Sequence, residues 1–228
     1  MTPEDVSVII PALNEGDRIE AAIASAWSNG AGQVVVCDGG STDQTVHLAH
    51  QSRAVVVHSD RGRGNQLRHG AETAEGTVLL FLHADNVLGE GCLDAICRRA
   101  NRPDAENDFW GGFRQRIEAP SILFRALEWG NAARLRYRGM PFGDQAIFVT
   151  RAMYERAGGF QALPLMEDVV LSTTLRKESW PFLIDAAVHV DPRRWKKRGL
   201  FRQTLRNWGI QLAHRFGVAE DRLAKWYR

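Results

Sequence analysis

Along the first hundred residues, uninterrupted apolar runs alternate with stretches whose apolar residues recur at helical spacing. Val6–Leu13, Gln33–Cys37, Ala54–His58 and Thr77–Leu82 read as strands, with helices predicted over Glu15–Ser28, Asp43–Gln51, Gly64–Ala74 and Glu90–Arg99. Strands apolar on both faces need cover on both sides. Their alternation with helices predicts right-handed β-α-β units and a parallel sheet. Beyond residue 100 the regularity weakens. Trp110–Ile117, Gln145–Thr150 and Phe182–Val190 read as strands, Ser121–Tyr137 and Asp168–Glu178 as helices, and Gly158-Gly159-Phe160 as a turn. Leu200, Phe201, Leu205, Trp208, Leu212 and Phe216 make an apolar stripe at helical spacing. With no repeat, low-complexity tract or interdomain linker, residues 1–228 read as one α/β domain with a C-terminal helical extension.

Ligands of such sheets bind at the carboxyl ends of the strands. The polar clusters of this chain fall there: Asn14-Glu15, Asp38-Gly39-Gly40-Ser41-Thr42-Asp43, Asp60 to Gly64, and His83-Ala84-Asp85. The last follows the apolar Leu79–Leu82, and a side-chain period of two sends His83 and Asp85 to the same side of the strand end. Such a pair can hold a divalent cation or meet a charged ligand; Asp85 and Asn86 are equally good helix caps. A carboxylate at Asp38 can accept hydrogen bonds from a base or a ribose, and the paired glycines let a ligand approach the main chain. A plain strand–turn–helix connection reads the same way. Arg61-Gly62-Arg63-Gly64-Asn65-Gln66 puts two guanidiniums at a helix start, a plausible diphosphate site. Glu167-Asp168 opens a later helix, where acids suit the dipole or serve as a general base. Gly143-Asp144-Gln145 precedes a strand and offers a further polar wall.

Charge is ordinary in total and uneven in place. The chain carries a net charge of +2, but residues 190–228 hold eleven Lys/Arg against Asp191, Glu220 and Asp221, leaving the rest at −6. Such a basic end serves anionic substrates, nucleic acid or an anionic membrane, or is a solvated helix face. Within it Arg193-Arg194-Trp195 offers charge and a flat stacking surface. No RNP, K-homology or zinc-finger pattern supports nucleic acid, so none is expected as a partner. Cys37, Cys92 and Cys97 form no C-x-x-C pair, which speaks against a disulfide framework or zinc ribbon and for a reducing, cytoplasmic setting. The N-terminus lacks the basic and apolar regions of a signal peptide, and no apolar run has membrane-spanning length.

Several chemistries are excluded by spacing. Gly62 and Gly64 fit G-x-G, but Leu67 stands where a dinucleotide fingerprint needs its third glycine. Neither a G-x-x-x-x-G-K-[ST] loop nor a G-x-S-x-G elbow is present. His47, His50, His58, His69 and His214 lack carboxylates at metal-like spacing and read as structural, whereas His189, next to Asp191, is a further metal candidate.

Taken together, Val8-Ile-Ile-Pro-Ala-Leu-Asn-Glu15, Val36-Cys-Asp-Gly-Gly-Ser-Thr-Asp43, His83-Ala-Asp85 and Glu167-Asp168 resemble, in type and order, the family 2 glycosyltransferases. Leu-His-Ala-Asp, Pro-Leu-Met-Glu-Asp and the Arg-Arg-Trp to Trp-Tyr-Arg ending are similar to the branch known as radical-SAM/selenodomain-associated transferases. The resemblance implies a GT-A fold, a Rossmann-like mostly parallel sheet flanked by helices. Residues 1–100 would be a nucleotide-binding half, 101–195 an acceptor half and 196–228 a basic extension. It implies inverting transfer from a nucleoside-diphosphate sugar, a UDP-sugar by expectation, to a hydroxyl acceptor. Pro11, Ala12, Asn14, Glu15, Asp38 and Gly39 would line the donor pocket with Arg61, Arg63, Gln66, His83 and Ala84. Asp85 would hold Mg²⁺ or Mn²⁺; His83, in the slot of the usual first Asp, and His189, from its place beside Asp191, are further metal candidates. Asp168, or else Glu167, would be the base, Gly143, Asp144 and Gln145 the acceptor wall, and Arg193, Arg194 and Trp195 the diphosphate contacts. The chain departs from the family pattern twice: His83 replaces the first Asp of D-x-D, and Asp191 replaces the Gln of Q-x-x-R-W. A nucleotidyltransferase of similar fold would carry a basic Gly-rich loop where Asn14-Glu15-Gly16-Asp17 is acidic. A non-catalytic nucleotide- or membrane-binding module would not need Asp38, Asp85 and Asp168 together. The basic extension could meet the inner face of a membrane or a lipid-linked acceptor. Sugar and acceptor are not set by the sequence, and monomer and homodimer both stay open.

Overall fold

A computed structural model describes residues 1–103, 106–163 and 165–193, together with Gly209, Ala213 and Val218. The strands are β1 (Val6–Ala12), β2 (Gln33–Asp38), β3 (Val55–His58), β4 (Val78–Phe81), β5 (Asn86–Leu88), β6 (Trp110–Ile117), β7 (Ile147–Thr150) and β8 (Phe182–Val190). The helices are α1 (Ile19–Ser28), α2 (Thr45–Gln51), α3 (Arg63–Thr73), α4 (Cys92–Ala100), α5 (Ile122–Arg138), α6 (Arg151–Arg156) and α7 (Glu167–Glu178). All eight strands join one sheet in the order β3-β2-β1-β4-β7-β6-β8-β5.

Four of its seven pairings are parallel, in keeping with the expected mostly parallel sheet. The other three are antiparallel and involve β7 and β5. β5 is a departure from the sequence reading. Asn86 opens a short strand paired with β8, so Asp85 and Asn86 cap no helix and α4 begins only at Cys92. The helix α6 and the three-residue 3₁₀ turn Gly143–Gln145 are likewise additions to the elements read from sequence.

The central strands are apolar throughout because both faces are covered. Val8 and Ile10 of β1 pack with Val34, Val36 and Leu80 against Ile19 and Ile23 of α1 and Leu93 and Ile96 of α4. Ile9, between them, points the other way and packs with Leu79, Phe81 and Trp110 against Leu67, Met153, Leu171 and Leu175. Gly70 lets α3 lie flat on this second face, since a Cβ there would stand 2.5 Å from Ile9 Cγ2. Among the described residues no helix is long and apolar enough to cross a membrane. The stripe from Leu200 to Phe216 lies outside the described residues apart from Gly209 and Ala213; Ala213 and Val218 pack against Leu165 and Met166, just before α7.

Candidate active site

Because β1, β2, β3 and β4 run parallel, their carboxyl ends share one edge. In register, Ala12 pairs with Asp38 and Asp38 with His58. Asp38 is 2% exposed. Its carboxylate accepts the Gly40 N–H at 2.9 Å and the Ser41 N–H at 3.1 Å, and His58 Nδ1 lies 3.5 Å away. Burial by itself would raise this carboxyl, but the bonds from Ser41, Gly40 and His58 outweigh it and hold Asp38 below the usual carboxylate value. His58, read from sequence as structural, is thus the neighbour of Asp38. The signal lies in strand register, which residue spacing does not report. It also lines a cavity of about 390 Å³ with Ser59, Asp60, Asn65, Arg68 and His69.

The loop after β1 is latched onto the loop after β2. Asn14, at φ 54°, accepts the Thr42 N–H through Oδ1 at 2.9 Å and donates its own N–H to Ser41 Oγ at 2.9 Å. Asparagine is among the residues that tolerate this left-handed backbone. Pro11, Ala12 and Gly39 are buried along the same edge. Gln66, expected among donor-binding residues, lies beneath them: it is 5% exposed, and its amide nitrogen donates to Ala12 O at 2.6 Å and Cys37 O at 3.1 Å. It braces the ends of β1 and β2.

The antiparallel entry of β7 brings a second group together. Phe81, at the end of β4, pairs with Ile147, at the start of β7, so the turn Gly143–Gln145 folds over the His83-Ala84-Asp85 segment. The Gly143 N–H donates to Asp168 Oδ2 at 2.8 Å. A Cβ on Gly143 would lie 2.6 Å from His83 Nε2 and 3.4 Å from Asp168 Oδ2. Imidazole and carboxylate therefore crowd the same point, and a side chain at 143 would require His83 to shift. Gln145, expected in the acceptor wall, is fully buried and sits behind it, donating to Phe113 O at 3.2 Å and accepting Arg134 Nη2 at 2.7 Å. Asp144 stays half-buried at the rim, its carbonyl accepting from Gln115 and Asn86. Ala146 and Met166 flank these residues at φ 47° and 68°, a strained backbone for side chains of their kind.

Arg193 closes the third side. Its Nη2 lies 2.8 Å from Glu15 Oε2 and 3.4 Å from Asp85 Oδ2. Burial works against its charge, but Glu15 first and Asp85 after it outweigh this and raise the guanidinium above its usual value. Asp191 positions it: Oδ1 accepts the Arg193 N–H at 2.8 Å while Oδ2 accepts Arg18 Nε at 2.8 Å. The residue that departs from Q-x-x-R-W thus ties Arg193 to the start of α1.

Of the other expected residues, Glu167, Arg63 and His189 are engaged elsewhere. Glu167 is 1% exposed and bound to Arg63 Nε, which joins the start of α3 to the start of α7. Burial, and the neighbouring Asp168, raise the Glu167 carboxyl, with Arg63 opposing them. A buried, ion-paired carboxylate is badly placed to take a proton from an acceptor, so Asp168 is left as the accessible member of the pair. Arg61 lies exposed on the loop before α3. His189 Nδ1 lies 2.5 Å from Glu118 Oε1, opposite Val87 in the sheet. Arg194 and Trp195 lie outside the described residues.

No cluster of three His, Cys, Asp or Glu capable of holding a metal occurs among the described residues. Asp85 and Glu15 nevertheless converge on one cationic nitrogen. Two carboxylates of that kind fit a hard, oxygen-ligated Mg²⁺ or Mn²⁺ whose remaining positions fall to phosphate and water.

A family model described as Glycosyl transferase family 2 matches residues 7–156. The chain belongs to glycosyl transferase family 2. A PGL/p-HBAD biosynthesis glycosyltransferase of Mycobacterium bovis is 26% identical over 89% of this chain and 96% of its own length. A dolichyl-phosphate beta-glucosyltransferase of Drosophila melanogaster is 26% identical over 79% of this chain and 61% of its own. Among solved structures, S. aureus TarS 1-349 superimposes with a TM-score of 0.64 at 19% identity, covering 86% of this chain and 63% of TarS 1-349. Glucosyl-3-phosphoglycerate synthase from Mycobacterium tuberculosis, with Mg²⁺ and UDP, gives 0.54 at 19% identity over 81% of this chain and 69% of that one. These two establish the GT-A fold. The chain spans less than two thirds of the TarS chain it overlays. Membership of family 2 makes the protein a glycosyltransferase and sets the nucleotidyltransferase alternative aside.

Proposed function

We propose that this family 2 member moves a sugar from a UDP-sugar to a hydroxyl acceptor with inversion at the anomeric carbon. The observation that carries the reading is the placement of Asp168 against Gly143 beside His83, with Arg193 on Asp85 two residues further along the same strand end. Asp38 and the latched loops beside it form the seat for base and ribose. The acceptor hydroxyl gives its proton to Asp168 Oδ2 as its oxygen attacks the anomeric carbon. The bond from that carbon to the diphosphate oxygen breaks, and Arg193 meets the charge left behind. Asp85 and Glu15 would hold Mg²⁺ or Mn²⁺, which when bound neutralises the departing diphosphate. Gly143 and Asp144 form the near wall for the acceptor. TarS has been crystallised with UDP-GlcNAc and the synthase with UDP, which supports the uridine donor. The chain's similarity to the radical-SAM/selenodomain-associated branch is consistent with this reading, and the basic C-terminal segment is read as a part that meets a membrane.

A thermal-shift screen of nucleotide sugars with and without Mn²⁺ tests it. Uridine donors should raise the Tm because a ligand specific to the native state stabilises it by mass action, and Asp85→Ala should abolish the Mn²⁺-dependent part. Uridine donors that neither shift the Tm nor undergo slow hydrolysis would overturn the assignment.

A further inference from the structure

Six large apolar side chains stand exposed among the described residues, and five of them gather around one helix. Ile122, Leu123, Trp129 and Tyr137 belong to α5, with Ile122, Trp129 and Tyr137 exposed by 83%, 74% and 73%. Trp180 joins them by donating its indole N–H to Arg136 O at 3.2 Å. The positions 122, 129 and 137 repeat every seven or eight residues, so they line one side of the helix. Phe124, Ala132 and Leu135 occupy the opposite side and are buried. Isolated exposed apolar residues are ordinary on a protein surface; five large ones gathered around one helix mark a contact surface.

Charge decides what it contacts. Arg136 and Arg138 are exposed at the end of the stripe. The helix has one acid, Glu128, and it turns inward, bonding to the Ile117 N–H at 2.5 Å and to Arg125 at 2.9 Å. The outward face of α5 is therefore apolar and cationic, with no carboxylate of its own. A second copy meeting it would bring arginine to arginine in a parallel pairing, and arginine to a positive helix start in an antiparallel one. An anionic lipid surface complements it in both respects. Tryptophan and tyrosine settle at the headgroup level, and arginine meets the phosphates.

We propose that the outward face of α5, extended by Trp180, docks this protein on an anionic phospholipid bilayer. The inward face of the same helix supports the acceptor wall, since Arg134 bonds to Gln145 Oε1 at 2.7 Å and to Met140 O at 3.0 Å. Docking through α5 sets that wall close to the lipid. This surface is formed by side chains of α5 and Trp180 and does not depend on the donor or the base.

Co-sedimentation of the full chain with vesicles of phosphatidylcholine, alone or mixed with phosphatidylglycerol, tests the proposal. The wild type should pellet with the mixed vesicles. Trp129→Glu/Tyr137→Glu, which changes only exposed positions, should lower partitioning about tenfold or more with an unchanged circular dichroism spectrum. Arg136→Gln/Arg138→Gln should remove about tenfold of the preference for the anionic lipid. Three results overturn it: no pelleting with either vesicle, pelleting unaffected by both variants, or a dimer in sedimentation velocity that Trp129→Glu/Tyr137→Glu dissolves without any vesicle binding.

Discussion

The Arg193 guanidinium rests 3.4 Å from the Asp85 carboxylate. The carboxylate expected to face a metal therefore already faces a cation, which it shares with Glu15. Arg193→Ala removes that cation and leaves two carboxylates near each other. Mn²⁺ affinity in the absence of nucleotide should then rise by about tenfold, since nearby opposite charges at an effective dielectric near 20 interact by several kcal/mol before screening. Turnover should fall by about 10²–10³-fold, the typical loss for one preorganised donor to developing charge. Calorimetric Mn²⁺ titration against steady-state rates reads both. Unchanged Mn²⁺ binding would show that Arg193 and the metal do not compete for Asp85.

Asp168 and Glu167 are neighbours in sequence and differ in setting. Asp168→Asn keeps the shape but removes the proton acceptor, so kcat should drop by about 10²–10⁴-fold with donor binding intact. Asp168 retaining wild-type turnover as Asn would move the base elsewhere. Glu167→Gln should act mainly on stability, as the carboxylate is buried against Arg63.

Gly143→Ala tests the crowding at the centre of the site. The added methyl meets His83 Nε2 at 2.6 Å, well inside van der Waals contact, so His83 or the Gly143–Gln145 turn must move. A shift of that size in catalytic geometry costs about 10²-fold in rate. A fully active Gly143→Ala enzyme would show that the point between His83 and Asp168 plays no part in turnover.

How far the site was legible depends on which interactions are local. Asp38 and Asp85 stand at strand ends marked by apolar runs, so alternation places them at one edge; Asp168 opens a distant helix and meets Gly143 only through the fold. His58 escaped because its partner is twenty positions away and reaches it only through the β2–β3 register. The burial of Gln66 and the Arg63–Glu167 pair escaped for a similar reason. Glycine and arginine before a helix look the same whether the guanidinium points at a diphosphate or at a buried carboxylate from another helix. β5 was missed because three residues are too few to show a period.

The Arg63–Glu167 pair should be a stability element. Arg63→Ala leaves a carboxylate that is 1% exposed without its cation, and breaking a buried pair on one side costs about 3 kcal/mol. Arg63→Met/Glu167→Leu, which removes both charges, should recover most of that loss. Urea midpoints of the two variants give the comparison. Equal losses in the single and double variants would mean that the burial of Glu167 carries no such penalty.

Acid should weaken the donor side first. Burial opposes ionisation of Asp38 and Asp191, yet the bonds from Ser41 and Gly40 and from Arg18 and Arg193 outweigh it; Asp43 is lowered chiefly by Thr45. A carboxyl held below its unfolded value of about 3.9 binds protons less readily when folded. Its stabilisation is complete above that value and is lost as pH falls through the lower folded value. Glu167, raised by burial, works in the opposite sense: its contribution is greatest in acid and is lost as pH rises through its raised value. The two trends are separated by comparing Tm against pH for the wild type and Asp38→Asn. The variant should be less stable near neutrality, and the gap should narrow below about pH 4 as Asp38 of the unfolded chain takes up its proton, closing as pH falls through the lower folded value. Parallel curves down to the acid transition would show that Asp38 is not held by the Gly40 and Ser41 bonds in solution.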